Sequence, residues 1–324
     1  MVQLLVDFVA LSKALADPLR VDVLRLLQRD SFGVLELAHA LAVPQPALSH
    51  HLKLLLEAGL LAKRRDGTSI FYRRAAPPAD SELGKYVAAA LEVIDASPLT
   101  PVVRGRIKKI HAGRGQRSRD FFRTHASEFA EQQALICTPD VYLGAIEAIL
   151  DRIPTDRGRL ALDVGVGDGQ SLPLLAQRFR RVVGVDESAA MIERARALVS
   201  RERLDNVTLR HVDVTSVRGA FDFVLMSMVV HHAPSPNALF QHAKRVLAPR
   251  GSLAVVELCT HEQTWAKDAC GDLWLGFEPE ELDAWAGAAQ LDACEGEYLA
   301  QRNGFRIQIR LYRQSSKEIV RESA

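Results

Sequence analysis

The stretch Leu162–Gln170, LDVGVGDGQ, places glycines at 165, 167 and 169 directly after an apolar run, RLALDVGV. A continuous apolar run of this kind reads as a strand buried on both faces, and so as part of a parallel sheet flanked by helices. Alternate glycines turn the chain sharply at the end of that strand and let a ligand lie close to the backbone. In an open α/β sheet the ligand is expected at the carboxyl ends of the strands, near the topological switch point. The downstream sequence keeps the alternation. SLPLLAQRF reads as a helix, RVVGVD as a strand, and SAAMIERARALVS as a helix capped by Ser188. VTLRHVDV and FDFVLMSMV read as the third and fourth strands, NALFQHAKRVLAP as a helix and GSLAVVEL as the fifth strand.

The loop chemistry narrows the ligand. A dinucleotide fingerprint needs G-x-G-x-x-G and a helix N-terminus open to pyrophosphate. Here the spacing is G-x-G-x-G, and Asp168 inside the loop would repel a pyrophosphate. S-adenosylmethionine carries an ammonium and a sulfonium and no phosphate, so an acidic loop tolerates it. Asp163 at the strand end adds a second carboxylate. Asp186 ends the second strand, 17 residues after Gly169, where a carboxylate accepts from ribose hydroxyls. Asp213 is suited to the adenine amine and the Val214 N–H to the adenine ring.

LDVGVGDG, VVGVDESAAMI, VDV and FDFVLMSMVVHH resemble the ordered motifs of class I S-adenosylmethionine-dependent methyltransferases, over about Arg119–Arg313. Val166 and Asp168 depart from the residues relatives often carry, in a loop that contacts ligand mainly through its backbone. The resemblance implies a Rossmann-like domain with a mostly parallel seven-stranded sheet. It implies S-adenosylmethionine or S-adenosylhomocysteine as cofactor. The expected contacts are Asp163, Gly165, Gly167, Asp168, Gly169, Asp186, Glu187, Met191, Asp213, Val214 and Met226.

The N-terminal third reads differently. Leu15, Leu19, Val23, Leu26 and Leu27 recur at helical spacing, with Asp17 as a cap and Pro18 in the first turn. Val34–Val43 reads as a short helix stopped at Pro44. Pro46–Leu60 reads as a second helix, ended by Gly59. Its stripe of Leu48, Leu52, Leu55 and Leu56 leaves Gln45, Ser49, His50 and Lys53 facing outward, as in a helix-turn-helix. Asp66-Gly67 between two strand-like runs signals a hairpin. That hairpin carries Lys63, Arg64, Arg65, Arg73 and Arg74, a cationic wing suited to phosphates.

ALADPLRVDVLRLL, ELAHALAVPQPALSHHLKLLLEAGLL and RRDGTSIFYR resemble the ArsR/SmtB family of winged-helix repressors over about residues 10–75. The resemblance implies double-stranded DNA as partner, contacted by Gln45, Ser49, His50, Lys53, Lys63, Arg64 and Arg65. It also implies a homodimer built through the N-terminal helix and the post-wing helix Ser81–Asp95. Gly33 and Leu35 stand where metal-sensing relatives place a cysteine pair, and the post-wing helix has no histidine. A soft metal needs thiolate or imidazole ligands, so neither of those metal sites is expected, and none is read elsewhere in the chain.

The expected fold is thus α/β: a winged helix-turn-helix over 1–80, a dimerisation helix and basic linker over 81–118, and the methyltransferase-like domain over 119–324. The linker ASPLTPVVRGRIKKIHAGRGQRS is rich in Pro, Gly and Arg, with a basic helix conceivable in its early part. Next, Arg119–Gln133 reads as amphipathic, with Phe122, Ala126 and Phe129 on one face, and Pro139–Leu150 as a short helix. Residues 1–115 hold 16 Lys and Arg against 11 Asp and Glu, and the remainder 25 against 29. A basic module joined to a mildly acidic one fits polyanion binding by the first. Four scattered cysteines argue against a disulfide framework, and no apolar run reaches the ~20 residues of a membrane span. No membrane association and a cytoplasmic location are expected.

Methyl transfer needs positioning and sometimes a base. His231, His232, Glu257 and His261 are the candidate bases, with a structural role for the His pair the stronger reading. Trp265, Trp274 and Phe277 in Glu257–Leu282 fit either an acceptor pocket or ordinary core. Cys259 and Cys270 are loosely placed, and MSMVVHH at the fourth strand has no cysteine where the arsenic methyltransferases would carry one, so arsenite methylation is not expected. The function expected is a DNA-binding regulator whose methyltransferase-like domain senses S-adenosylmethionine or S-adenosylhomocysteine, with methionine-cycle genes as targets suggested by regulators of similar arrangement. The alternative is an active methyltransferase acting on a small molecule, regulated by the winged helix.

Overall fold

The computed structural model describes residues 2–67, 69–75, 81–125, 129–153 and 159–314. The chain divides into two compact units, Met1–Gly113 and Arg114–Ala324.

The first unit contains α1 (Val2–Leu15), α2 (Pro18–Leu26), the short β1 (Phe32–Gly33), α3 (Val34–Leu41), α4 (Gln45–Glu57), β2 (Leu61–Asp66), β3 (Ser69–Arg74), α5 (Glu82–Asp95) and the first half of α6 (Pro101–His125). Asp17 is extended, and its carboxylate accepts the Arg20 N–H at 3.0 Å, so α2 starts at Pro18 as the cap dictates. Ala42 in the left-handed region ends α3, and Gly59 (φ +70°) follows α4. Leu24, Phe32, Leu37, Leu48, Leu52 and Leu55 are buried together, as the leucine stripe requires. The hairpin pairs Asp66 with Ser69, with Gly67 at φ +63°. Ser81 caps α5 through Gly84 N–H at 2.9 Å, and Tyr86 of α5 reaches Phe8 and Ser12 of α1.

The expected linker is helical. α6 runs unbroken for 25 residues. Three glycines within it cost roughly 1 kcal/mol each against alanine, yet Val103, Ile107 and Ile110 recur at helical spacing and pack on the first core. That burial, with Thr100 accepting the Val103 N–H at 3.3 Å, outweighs the intrinsic preference. Ala126 lies outside the described residues, as does the side chain of Phe129, so the apolar face expected there is represented by Phe122 alone.

The second unit continues with α7 (Phe129–Ile136), α8 (Pro139–Arg152), β4 (Leu160–Val164), α9 (Leu172–Arg178), β5 (Arg181–Asp186), α10 (Ala189–Glu202), β6 (Val207–His211), β7 (Phe221–Ser227), α11 (Pro236–Val246), β8 (Leu247–Leu258), α12 (Trp265–Ala269), α13 (Pro279–Ala288), β9 (Leu291–Ala300) and β10 (Arg306–Gln314). The sheet order is β6-β5-β4-β7-β8-β10-β9. The first five strands in that order run parallel, and β10 is antiparallel to both its neighbours. From β4 the chain steps to β5 on one side, while β7 lies on the other. The switch point is therefore the end of β4, where the glycine loop begins.

Several boundaries differ from the sequence reading, and β7 stops at Ser227 where the run FDFVLMSMV reaches Val229. β6 stops at His211, so Asp213 lies beyond the strand. Leu247–Pro249 belongs to β8, not to the preceding helix, because Leu247 is extended and pairs with Phe221.

Candidate functional sites

Gly165, Gly167 and Gly169 all have positive φ, at +67°, +57° and +90°. At Gly165 a Cβ would lie 2.3 Å from Val229 Cγ2, so only glycine fits both the turn and the close approach. The loop is fastened to the next strand. Gly165 and Val166 N–H both donate to Val185 O, at 2.9 and 3.0 Å. Asp186, at the end of β5, accepts Gly167 N–H at 3.0 Å on one oxygen and Ser188 N–H at 2.8 Å on the other. A carboxylate has about four lone-pair sites, so capacity remains on both oxygens for two further donors.

Asp163 is buried at the floor of the loop and accepts the Ser171 hydroxyl. Burial pushes its carboxyl up to about 7, against the Ser171 hydrogen bond and with help from Asp186. Asp186 is raised too, by burial, with the Ser188 and Gly167 N–H groups opposing. Asp168 is half-buried and accepts from Gln170 at 3.0 Å. Asp213 caps the short turn Val214–Ser216, one oxygen taken by Thr215. Glu187 is exposed, 3.5 Å from Arg119.

Met226 is a correction. It is fully buried inside β7, paired with Val164 and Val255, and has no surface to offer a ligand. Just beyond that strand end, Val229 packs against Gly165. Met191 is likewise covered, by Phe121 and Phe122 from the last turns of α6. Phe122 meets the His232 ring edge-on at 5.0 Å, and Phe121 lies where a Cβ on Gly271 would be, 2.3 Å away. The two rings thus span from α10 to the segment after β7. Phe121, Val229 and Gly271 carry no local sequence signal, because their meeting depends on the tertiary fold.

The His pair follows β7 in a short turn, Val230–His232. Glu257, fully buried, accepts His231 Nδ1 at 2.6 Å, His231 N–H at 3.1 Å and Leu258 N–H at 2.6 Å. His231 Nε2 lies 3.8 Å from Asp272. Burial opposes charge on His231, but Glu257 and Asp272 together push it up to about 9. Burial and the neighbouring His231 hold His232 well below the usual range. Glu257 is a buried anchor and has no access to a substrate. His261 is buried against Phe305 and accepts Gln263 N–H at 3.3 Å. Trp274 and Phe277 are core: the indole N–H donates to Ala233 O at 2.9 Å, and the Arg114 guanidinium lies 4.7 Å from the ring centre. Burial pushes Cys270 up to about 12 and raises Cys259, so both are neutral thiols.

In the first unit Gln45, Ser49, His50 and Lys53 are exposed along α4. His51 instead turns to the α2 cap, 3.4 Å from Asp17. The wing alternates as a strand must. Lys63 and Arg65 are exposed, whereas Arg64 lies 3.7 Å from the buried Asp66 with its side chain 14% exposed. Arg64 is thus committed inward, a correction to its expected phosphate contact. Arg74 is also internal, with two bonds to Asp95 at 2.9 and 2.6 Å and one to Leu24 O.

Residues 17–63 match the family model for the bacterial regulatory protein, arsR family, and residues 162–255 match that for a methyltransferase domain. The chain joins an arsR-family helix-turn-helix to a methyltransferase domain. It is 43% identical over 65 residues to the HTH-type transcriptional repressor SmtB of Mycobacterium tuberculosis, covering 20% of this chain and 48% of that protein. It is 36% identical over 109 residues to trans-aconitate 2-methyltransferase of Methylobacterium radiotolerans, covering 33% of this chain and 41% of that one. The chain therefore spans less than half the length of either curated relative. Magnesium protoporphyrin IX methyltransferase from Synechocystis PCC 6803, solved with bound SAH, superposes with a TM-score of 0.52 at 19% identity, over 61% of this chain and 98% of that one. That likeness is one of fold. Among the described residues no helix is long and apolar enough to cross a membrane.

Proposed function

We propose that the chain is a DNA-binding regulator whose methyltransferase domain holds S-adenosylmethionine or S-adenosylhomocysteine as its effector. The carrying observation is Asp186, a half-buried carboxylate hydrogen-bonded to the glycine loop through Gly167, with acceptor capacity left on both oxygens for a ribose diol. Asp163 and Asp168 give the loop the negative potential that suits the ligand's ammonium. The adenine lies along the Asp213–Val214 segment. Cytoplasmic DNA is the partner, met by Gln45, Ser49, His50 and Lys53 in the major groove and by Lys63 and Arg65 on the phosphates. Two copies pair through α1 and α5. Leu4, Leu5, Val6 and Val9 of α1 and Val93 of α5 are exposed apolar side chains, which supports that pairing. The effector acts by favouring one arrangement of the two winged helices, which requires different affinity in the two states. Methionine-cycle genes are the proposed targets.

The likeness to a trans-aconitate methyltransferase supports the second reading, an enzyme that methylates a small molecule. The deciding experiment measures calorimetric affinity for each adenosyl ligand, then affinity for duplexes selected from a random pool, with and without ligand. A regulator changes its DNA affinity on saturation. Unchanged affinity with both ligands bound overturns the effector reading, and labelled methyl transfer to a metabolite extract supports the enzyme.

Substitutions test the two sites separately. Asp186→Ala removes the proposed ribose acceptor and weakens adenosyl binding by about 1–3 kcal/mol; calorimetry giving an unchanged affinity would mean the ligand sits elsewhere. Lys63→Ala with Arg65→Ala lowers the slope of log affinity against log salt by about 2 per protomer. Arg64→Ala, by contrast, leaves that slope near its original value. A slope that responds to Arg64 and ignores the other two refutes the assignment of the wing's outer face.

A further inference from the structure

We propose that His231, His232 and Asp272 form a binding site for a divalent transition-metal ion of the Zn²⁺ or Co²⁺ type. One donor atom from each residue lies within 4.8 Å of the others. His231 Nε2 and Asp272 Oδ1 are 3.8 Å apart. A tetrahedral ion ~2.1 Å from each donor holds them about 3.4 Å apart, so a few tenths of an ångström of closure completes that pair.

The tautomers favour it. Glu257 takes two backbone N–H bonds besides the His231 ring and is therefore an acceptor, so His231 Nδ1 carries the proton it donates. Gly271 O can only accept, so His232 Nδ1, 3.2 Å from it, is also the protonated nitrogen. In neutral imidazole the other nitrogen, Nε2, then bears the lone pair. A ligating histidine characteristically donates its second ring nitrogen to a carboxylate or a backbone carbonyl. Here one histidine does each. Gly271, which anchors His232, immediately precedes Asp272, so one short segment supplies both an anchor and a ligand.

Two imidazoles and one carboxylate select a borderline transition ion over Mg²⁺ or Ca²⁺, which prefer all-oxygen shells. On binding, the ion displaces any proton on His231 Nε2 to solvent. Three protein ligands leave a fourth position for water or an oxygen-bearing molecule, the pattern of an open site and not of a closed structural one. The site stands beside Phe122, whose ring meets that of His232 edge-on at 5.0 Å. It is distinct from the N-terminal positions at which arsR-type sensors carry thiolates, and it does not depend on an adenosyl ligand being bound.

The test uses full-length protein freed of metal by chelator, then titrated with Co²⁺ or Zn²⁺ alone. The expected result is one equivalent per chain, with a Co²⁺ spectrum lacking thiolate charge-transfer bands. Bound Co²⁺ should broaden or shift the ring resonances of His231 and His232 and leave those of His50 and His51 unchanged. His232→Gln or Asp272→Asn should lower affinity about 100-fold or more, and Glu257→Gln by about 10–100-fold through loss of positioning. Should a variant fail to fold, the histidine resonances of the unaltered protein decide alone. No stoichiometric binding, or Co²⁺ effects confined to other histidines, overturns the proposal.

Discussion

Asp163→Asn should stabilise the second unit by an amount that grows with pH. The native carboxyl titrates near 7, against about 3.9 in an unfolded chain. The folded state therefore binds the proton more tightly, and stability falls as pH rises through the window between these two values. Below about pH 4 both states are protonated and the residue contributes nothing. Above about pH 7 the buried charge costs about 4 kcal/mol, the pKa difference converted at 1.36 kcal/mol per unit. Asparagine keeps an acceptor for Ser171 without the charge. Chemical denaturation of both proteins at pH 5 and pH 8 should give a larger advantage for the variant at pH 8. A difference that does not change with pH would show that Asp163 titrates normally. The same buried charge gives the site a reason to take a cationic ligand: an ammonium beside Asp163 offsets the cost.

Gly165→Ala should strongly destabilise the second unit. Its φ of +67° lies in the left-handed region, costing an L-residue about 1–2 kcal/mol. The new Cβ would also stand 2.3 Å from Val229 Cγ2, and forcing extra carbon into a packed site costs about 1–3 kcal/mol. Together these give a loss of about 2–5 kcal/mol. Gly113→Ala is the internal comparison. It lies within α6, is exposed, and a Cβ there meets nothing within 4 Å. That change should be neutral or stabilise by about 0.4–1 kcal/mol. Denaturation curves in which Gly165→Ala unfolds no earlier than Gly113→Ala would show that the loop relaxes freely.

The contrast between these glycines marks what a sequence can disclose. Gly165, Asp186 and Ser188 were legible because each sits in a local pattern: a strand, a turn and a cap. Asp17, Gly59 and Asp66-Gly67 were legible for the same reason. Local chemistry misread α6, where the glycines and arginines of a linker are overruled by Val103, Ile107 and Ile110 against a core the segment itself cannot reveal. Arg64 and Arg65 are adjacent and alike in sequence, and only the pleat tells which faces solvent. Met226 lies one residue before the end of β7 and is fully buried, a burial set by the packed sheet and not by any local pattern. The His231–Glu257 pair joins residues 26 apart, and Asp272 and Phe122 come from further still. No window of sequence contains that cluster.

Phe121 and Phe122 set a condition on time as well as on shape. Their rings pack over Met191 and against His232. On the function proposed above, an adenosyl ligand seated against Met191 would enter and leave only with movement of the end of α6, so its exchange would be slower than diffusion allows. A complex formed this way equilibrates slowly and outlasts brief swings in ligand supply, so the bound fraction follows the average concentration over the residence time.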